Sequence, residues 1–191
     1  MQPAEETRFT EDEYLALENA SATKHEFAEG RIISMAGGTT RHNLIAMNVG
    51  GALRNALAGR GCLVLSSDQR IHIAATGRYT YPDLTVVCGR AQHSSKDPLS
   101  LENPLLVVEV LSPSTAAYDL GEKFGDYRRI PSLQHFVAVR ADLRRVECWR
   151  RTDVGRWEVT ESEGTGIVEL AHLGIAVQLD AIYENIELAG S

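Results

Sequence analysis

Short apolar runs separated by polar turns dominate the chain and predict more strands than helices. Continuous or alternating apolar positions mark seven strands after the first 60 residues; these lie at 63–65, 70–73, 83–87, 105–111, 135–139, 144–150 and 156–160. A hairpin precedes them, with arms 25–27 and 31–34 joined at Glu29-Gly30. The polar stretch 89–103 predicts a surface loop between two of the strands.

Two helices are indicated in the first third of the chain. Thr10 and Glu13 have the spacing of a capping box, which predicts a short helix to about residue 17. Thr39 or Thr40 then begins a long helix whose apolar face includes leucines and Met47. Gly59 ends this helix, because glycine adopts the left-handed conformation that closes many helices.

A second amphipathic helix follows the longest apolar run. The segment 112–115 is rich in serine and threonine and predicts its N-cap, Leu120, Phe124 and Tyr127 point inward, and Pro131 closes it. A weaker helix is predicted over 180–184. Strands and helices together predict one α/β domain over residues 1–191, with a mixed β-sheet flanked by helices.

Composition bounds the class of protein. With 191 residues, 43% of them hydrophobic, the chain is long and apolar enough for a globular core. Its net charge of −7 counts against coating nucleic acid by bulk charge, but it leaves room for docking through a local basic face and a bound cation. No apolar run reaches the roughly 18 residues of a membrane span. The polar, acidic N-terminus does not resemble a signal peptide.

The three cysteines indicate the compartment. Cys62, Cys88 and Cys148 are far apart and odd in number, and none has the spacing of a zinc site. A disulfide framework is therefore not expected, and a reducing cytoplasm is the default location.

Glu109 is the most informative residue, because it interrupts the apolar run 105–111. An ionised carboxylate buried without a partner costs several kcal/mol or shifts its pKa strongly. Such a residue is usually paired, protonated or bound to a cation. Asp83 begins another strand-like segment, so the two acids predict a metal site on a rigid sheet if their strands are neighbours.

The chemistry that suits this pair is phosphoryl transfer. Mg²⁺ takes one or two carboxylates together with waters and substrate phosphate. Asp83, Glu109 and the backbone carbonyl of Val110 are the predicted metal ligands. Lys123, about two turns into the following helix, is the predicted cation that holds or activates the nucleophilic water, or stabilises the phosphorane.

These residues resemble a known nuclease motif. Pro82-Asp83 followed by Glu109-Val110-Leu111 resembles the PD-(D/E)XK nuclease superfamily, with Leu111 in place of the usual lysine and Lys123 as its migrated counterpart. A wider set of segments resembles the Uma-type family of restriction-endonuclease-like proteins over roughly residues 10–185. That set is 81–84, 109–115, Asp119, Lys123, Tyr127, 130–133, 26–30 and Arg41-His42.

The resemblance implies a fold, an activity and two further site residues. It implies a restriction-endonuclease-like α/β core with extra C-terminal strands, and a Mg²⁺-dependent endonuclease that hydrolyses DNA, with Mn²⁺ as a possible substitute. Glu26 would add an acid to the metal site, and His42 would orient a water or contact phosphate. Restriction enzymes of this superfamily are often dimers, so a homodimer is also implied.

Other interpretations of single residues stay open at this point. Glu109 could form a structural ion pair with an arginine, Asp83 could be a strand-entry residue, and Lys123 could be a solvated partner of Asp119. His42 and Glu26 could be exposed and without function.

The function also has alternatives. The chain could be an inactive DNA-associated binding module that kept the fold, or a metal-dependent hydrolase of small phosphodiesters. A basic stretch could contact a DNA backbone or form a solvated strand face; it comprises Arg128, Arg129, Arg140, Arg144, Arg145, Arg150 and Arg151.

Overall fold

Three β-sheets and their flanking helices make up the part of the chain that the computed structural model describes, residues 7–35 and 37–187. The strands are β1 His25–Ala28, β2 Arg31–Ser34, β3 Cys62–Ser66, β4 Arg70–Ile73, β5 Arg78–Thr80, β6 Leu84–Cys88, β7 Ser100–Leu101, β8 Leu106–Leu111, β9 His135–Arg140, β10 Arg145–Arg151, β11 Trp157–Glu163, β12 Ile167–Leu170 and β13 Ile175–Gln178.

The helices differ widely in length. They are α1 Glu11–Ala20, α2 Thr40–Ala56, α3 Ala116–Tyr118, a π-helical segment Asp119–Lys123, α4 Phe124–Tyr127, a 3₁₀ turn Ala171–Leu173 and α5 Leu179–Ile182. Within the described residues, no helix combines the length and the apolar character that crossing a membrane requires.

The strand order confirms the predicted mixed α/β fold class. A five-stranded sheet has the order β2-β1-β5-β4-β7, a six-stranded sheet has the order β11-β10-β9-β8-β6-β3, and β12 pairs with β13. In the six-stranded sheet β8 and β9 run parallel, whereas β6 and β8 run antiparallel with Leu84 opposite Val108. One step further along the same register, Asp83 lies opposite Glu109.

Strand β8 is buried on both faces, which explains its continuous apolar sequence. Val108 and Val110 pack in one core with α2. Val107 and Leu111 pack in the other core with Phe124. Because side chains alternate along a strand, Glu109 shares its face with Val107 and Leu111. Its carboxylate is therefore directed to the side of the sheet that the helical stretch 116–127 covers.

Two of the predicted N-caps and the first hairpin agree with the structure, whereas Thr115 before α3 makes no side-chain cap hydrogen bond and α2 ends at Ala56, before the predicted Gly59. Thr10 and Glu13 form the reciprocal capping box at α1, and Thr39 caps α2. The turn between β1 and β2 places Glu29 and Gly30 at φ of 52° and 78°. Glycine meets no steric penalty there, whereas Glu29 holds a conformation that L-residues seldom adopt.

The predicted surface loop 89–103 is wrong in part. It contains β7, and Asp97 and Ser100 within it are buried. The reason is a buried guanidinium, since Arg70 Nη2 lies 2.7 Å from Asp97 Oδ2 and Arg70 Nε lies 3.0 Å from Ser100 Oγ. Polar residues that satisfy a buried charge look like a solvated loop in the sequence. The short strands β5, β12 and β13 were also not predicted.

The sequence gives no reason to expect a disulfide framework, but the described residues contain one disulfide. Cys62 and Cys88 are directly opposite in the β3–β6 pairing and form a disulfide, while Cys148 is free and buried. Their separation of 26 residues hid the contact, because only the strand register brings them together. Disulfides are uncommon in a reducing cytoplasm. The cytoplasmic location was predicted from the cysteines, so this bond weakens that argument, and the location itself stays a prediction.

A buried histidine makes the stability of the fold depend on pH. His135 is fully buried, its Nδ1 lies 3.8 Å from Cys148 Sγ, and the backbone N–H of His172 lies 3.3 Å from its Nε2. Burial, together with His172 and Arg150, lowers the pKa of His135 to about 4. The neutral imidazole is therefore part of the folded state.

Acid is expected to destabilise the protein through His135. Its folded pKa lies below the unfolded value of about 6.5, so its contribution is present above pH 6.5 and is lost as the pH falls toward 4. The loss amounts to about 3 kcal/mol in urea unfolding between pH 7 and pH 4. His135→Gln removes this part of the pH dependence, whereas the exposed His93→Gln keeps it. Equal pH profiles for wild type and His135→Gln would contradict the assignment.

Candidate active site

One cavity of about 470 Å³ is lined by the acidic residues that the sequence predicts for a metal site. Glu26 comes from β1, Asp83 from the residue before β6, and Glu109 from β8. The residues predicted from the sequence all line it, namely Glu26, His42, Asp83, Glu109, Val110 and Lys123. Asp119 lines it as well.

Lys123 is the central cation of this site. Its Nζ lies 3.0 Å from Glu26 Oε1, 3.0 Å from Glu109 Oε1 and 3.5 Å from Asp119 Oδ1. The side chain is buried, and these carboxylates outweigh the opposing effect of burial and raise the pKa of Lys123 well above its ordinary value. Lys123 is therefore a fixed ammonium ion, and the interpretation as a solvated partner of Asp119 is wrong.

A π-helical turn aims Lys123 into the cavity. The backbone N–H of Phe124 donates to the carbonyl of Asp119, five residues back, in place of the α-helical partner. Asp119 and Lys123 are both buried in this turn, and Phe124 and Tyr127 after it pack in the core. The turn thus supplies polar residues to the site and apolar residues to the sheet from one short helical stretch.

Glu109 is the carboxylate most affected by its surroundings. It is only 4% exposed, and its Oε1 accepts from the hydroxyl of Tyr127 at 2.8 Å as well as facing Lys123. Burial raises the pKa of Glu109 to about 8; Lys123 opposes this shift, and Asp83 and Asp119 add to it. Like charges that share a site favour protonation unless a cation relieves them. No arginine in residues 7–35 and 37–187 pairs with Glu109, so the interpretation as an arginine ion pair is wrong.

Asp83 joins two elements at the edge of the cavity. Its Oδ2 accepts from the backbone N–H of Val110 at 2.7 Å and lies 3.3 Å from His42 Nε2. This contact with Asp83 is the main cause that raises the pKa of His42, against the effect of burial. A Cβ on Gly38 would lie 2.8 Å from His42 Nδ1, so glycine at 38 makes room for the imidazole.

Glu26 is held by three donors besides Lys123. Its Oε1 accepts from the hydroxyl of Thr80 at 2.5 Å and from the backbone N–H of Tyr81 at 3.3 Å, and the hydroxyl of Tyr118 lies 3.5 Å from Oε2. Burial alone would raise the pKa of Glu26, but Lys123 and Thr80 outweigh it and lower the pKa. Glu26 is thus an ionised, buried group and not an exposed one.

A buried acid outside the cavity fixes the elements on either side of Glu26. Glu18 on α1 accepts from the Tyr81 hydroxyl at 2.7 Å and from the backbone N–H of His25 at 3.0 Å. His25 precedes Glu26, and Tyr81 lies two residues before Asp83. Glu18 therefore couples the start of β1 to the segment that carries Asp83.

The donor set fits a hard divalent cation. The contacts of Asp83 use Oδ2 and those of Glu109 use Oε1, so each carboxylate has a second oxygen outside these contacts. Across residues 7–35 and 37–187, no group of three or more His, Cys, Asp or Glu is placed to bind a metal ion. Mg²⁺ needs only one or two carboxylates with carbonyl oxygens and waters, and Asp83, Glu109 and the Val110 carbonyl supply that set.

Three residues at the site were not predicted to act there. Thr80 lies on β5, a three-residue strand that gives too weak a pattern to detect. Tyr127 was predicted only as an inward-facing core residue, and Tyr118 was not singled out. The one available signal was Tyr127, because a buried tyrosine hydroxyl requires a hydrogen-bond partner.

The basic stretch divides into paired and unpaired arginines. Four pair with carboxylates, namely Arg140 with Asp142, Arg144 with Asp180, Arg145 with Glu161 and Arg150 with Glu158. Arg128, Arg129 and Arg151 have no carboxylate within 4.0 Å in the part of the chain described. Arg151 instead donates to the carbonyls of residues 128, 130 and 131 at the end of the helical stretch.

A larger cavity of about 560 Å³ lies elsewhere, between β10, β11 and β12. It contains Arg150, which is paired with Glu158, and the thiol of Cys148. Burial raises the pKa of Cys148 to about 12, so this thiol is a poor nucleophile at neutral pH. This cavity is larger than the acidic one, but its residues do not offer the cluster of carboxylates and lysine found there.

Comparison with known proteins identifies the family. A family model described as "Uma2: Putative restriction endonuclease" matches residues 11–181. A protein of Synechocystis sp. named "Uncharacterized protein slr1290" is 34% identical over 179 residues, which cover 94% of this chain and 93% of that one. Another from that organism, "Uncharacterized protein sll1609", is 35% identical over 155 residues, 81% of this chain and 88% of that one.

A solved structure shares the fold. It is a crystal structure from Anabaena variabilis ATCC 29413, described as "a putative nuclease belonging to DUF820". It has a TM-score of 0.74 and 18% identity, and the match covers 92% of this chain and 97% of that chain. With the family model spanning most of the sequence, the chain belongs to the Uma2 family of restriction-endonuclease-like proteins.

Proposed function

We propose that this protein is a Mg²⁺-dependent endonuclease that hydrolyses phosphodiester bonds in DNA, with Mn²⁺ as a substitute. The observation that carries the proposal is the convergence of Asp83, Glu109 and Lys123 in one cavity from three separate elements. The nuclease class is that of the matching family. The metal, the substrate and the role of each residue are our proposal.

Asp83, Glu109 and the Val110 carbonyl would hold the metal, and Glu26 would assist. When bound, a divalent ion polarises the phosphoryl oxygen and lowers the pKa of a water molecule. Asp83 accepts a hydrogen bond from the Val110 N–H, and Glu109 accepts one from the Tyr127 hydroxyl. The rigid β6–β8 pair thus fixes the distance between the two acids before any ion arrives.

Lys123 acts as a cation in this proposal. Its raised pKa keeps it protonated at neutral pH, so it donates to the attacking water or to the phosphorane and does not remove a proton. His42 Nε2 lies beside the same Asp83 oxygen that accepts from the Val110 N–H, and His42 is the auxiliary group that orients a water or contacts a phosphate oxygen.

DNA is the substrate that best explains the unpaired arginines. Arg128 and Arg129 are exposed and follow the helical stretch that carries Lys123. On a chain of net charge −7, arginines without carboxylate partners are where a polyanion can approach. A homodimer is part of the proposal by resemblance, and sedimentation velocity tests it.

The direct test is cleavage of plasmid and linear duplex DNA. Wild type is expected to cleave with Mg²⁺ or Mn²⁺ and to stop on chelation, and Asp83→Ala is expected to be inactive because it removes a ligand. Preference for duplex DNA over an aryl phosphodiester separates a nuclease from a small-molecule hydrolase. If Asp83→Ala cleaves as fast as wild type, the assignment fails; if wild type binds no Mn²⁺ by calorimetry, the chain is an inactive binding module.

A further inference from the structure

Tyr118 places a hydroxyl in the cavity with a buried cation behind it. It lines the same cavity as Glu26, Glu109 and Lys123. Its hydroxyl oxygen lies 2.8 Å from Arg78 Nη1 and 3.5 Å from Glu26 Oε2. Neither Tyr118 nor Arg78 has a part in the reaction as proposed above.

Arg78 is fixed so that it cannot enter the cavity itself. It lies on β5 and is only 2% exposed, and its Nε lies 2.5 Å from Asp126 Oδ2. Its guanidinium carbon lies 5.6 Å from the centre of the Tyr118 ring, within the range of a cation–π contact. Arg78 therefore influences the cavity through Tyr118, the lining side chain that it contacts.

The donors and acceptors determine where the Tyr118 proton can go. A guanidinium only donates, so the Tyr118 oxygen accepts from Arg78 and its own O–H is directed elsewhere. The contact to Glu26 Oε2 at 3.5 Å is at the outer limit of a hydrogen bond. Glu26 already receives Lys123 and Thr80 on its other oxygen. The Tyr118 O–H is directed to Glu26 Oε2, and a phosphate oxygen that enters the cavity would replace this long contact as its acceptor.

From this geometry we infer that Tyr118 contacts the substrate and donates to a non-bridging oxygen of the phosphodiester, with Arg78 as the residue that positions it. The inference rests on the proposed function, because it assumes a phosphodiester in this cavity. Arg78 strengthens the donor, since a hydroxyl that accepts from a cation is polarised for donation. The Tyr118 O–H is thus a phosphate contact that brings no full charge into the site.

A neutral donor suits this cavity better than a charged one. The site contains the carboxylates of Glu26, Asp83, Glu109 and Asp119. An arginine among them would pair with an acid and compete with the metal. Burial, opposed by Arg78, raises the pKa of Tyr118, so the hydroxyl keeps its proton at neutral pH. Tyr118 can therefore attract an anionic phosphate oxygen and leave the carboxylates free.

The test is Tyr118→Phe in steady-state cleavage of duplex DNA with Mg²⁺. One hydrogen bond made in both the bound substrate and the transition state contributes to KM and not to kcat, so KM is expected to rise about tenfold with kcat within about twofold. Mn²⁺ affinity by calorimetry is expected to stay unchanged, because Tyr118 is not a ligand. Tyr79→Phe is the matched control, since its hydroxyl is buried without a partner in the described residues and lies outside the cavity lining.

Several outcomes overturn the inference, and they differ from failure of the proposed function. An unchanged KM would show that Tyr118 does not contact the substrate, and so would a loss of Mn²⁺ affinity that parallels the loss of cleavage. Neither outcome would contradict the proposal that the protein is a nuclease. If wild type does not cleave, binding of a fluorescent duplex with Ca²⁺ decides: weaker binding by Tyr118→Phe than by Tyr79→Phe supports the contact. Equal binding by both variants, or no binding by wild type, overturns it.

Discussion

Glu109→Gln is expected to reduce DNA cleavage on the order of 10³-fold, because it removes one of the two carboxylates that hold the metal. Glutamine has the same size and can still accept from the Tyr127 hydroxyl, so the core around β8 is expected to stay intact. The neutral amide also removes the repulsion from Asp83 and Asp119. Activity is therefore expected to be lost without loss of folded protein.

The measurement combines initial cleavage rates with Mn²⁺ calorimetry and thermal unfolding. Glu147→Gln is the control, because Glu147 is also a strand carboxylate, is half-buried and lies outside the cavity. It is expected to keep wild-type cleavage. A Glu109→Gln variant that cleaves within about threefold of wild type, or that binds Mn²⁺ as tightly, would remove Glu109 from the metal site.

The sequence predicts Glu109 because its place in an apolar run makes its burial conspicuous, and it predicts Asp83 because that acid begins another strand-like segment. A carboxylate inside an apolar run has few stable explanations, and a metal site is one of them. That reasoning needs no knowledge of the strand order. The pairing of β6 with β8, which brings Asp83 opposite Glu109, could only be assumed from the sequence.

Residues that act through their neighbours were not predictable in the same way. Tyr118 and Arg78 are 40 positions apart and meet because β5 packs beside the helical stretch. The π turn at Asp119–Lys123 has no signature in the spacing of apolar residues, since Leu120, Phe124 and Tyr127 also fit an α-helix. Sequence patterns report burial well, but hydrogen-bond partners across elements depend on the fold.

Lys123→Met is expected to lower the free energy of unfolding by about 3–5 kcal/mol at pH 8, because it leaves Glu26, Glu109 and Asp119 buried together without their cation. Methionine fills a similar volume, so the lower free energy of unfolding reflects the missing charge and not a cavity. The difference from wild type is expected to shrink at pH 5. The pKa of Glu109 is raised from its ordinary 4.5 to about 8 even beside Lys123, so at pH 5 Glu109 is protonated in both proteins and less buried charge is left without a cation.

Lys96→Met is the control, because Lys96 forms an exposed ion pair with Glu11 and its loss is expected to cost less than about 1 kcal/mol. The change in Tm on adding a divalent metal ion distinguishes a purely structural lysine from one whose charge takes the place of a bound ion. If Lys123 compensates the carboxylates in the absence of an ion, Mg²⁺ or Ca²⁺ replaces its charge and raises the Tm of Lys123→Met more than that of wild type or Lys96→Met. No shift of Tm in any of the three proteins would mean that the cavity binds no cation, and the nuclease proposal would lose its metal site.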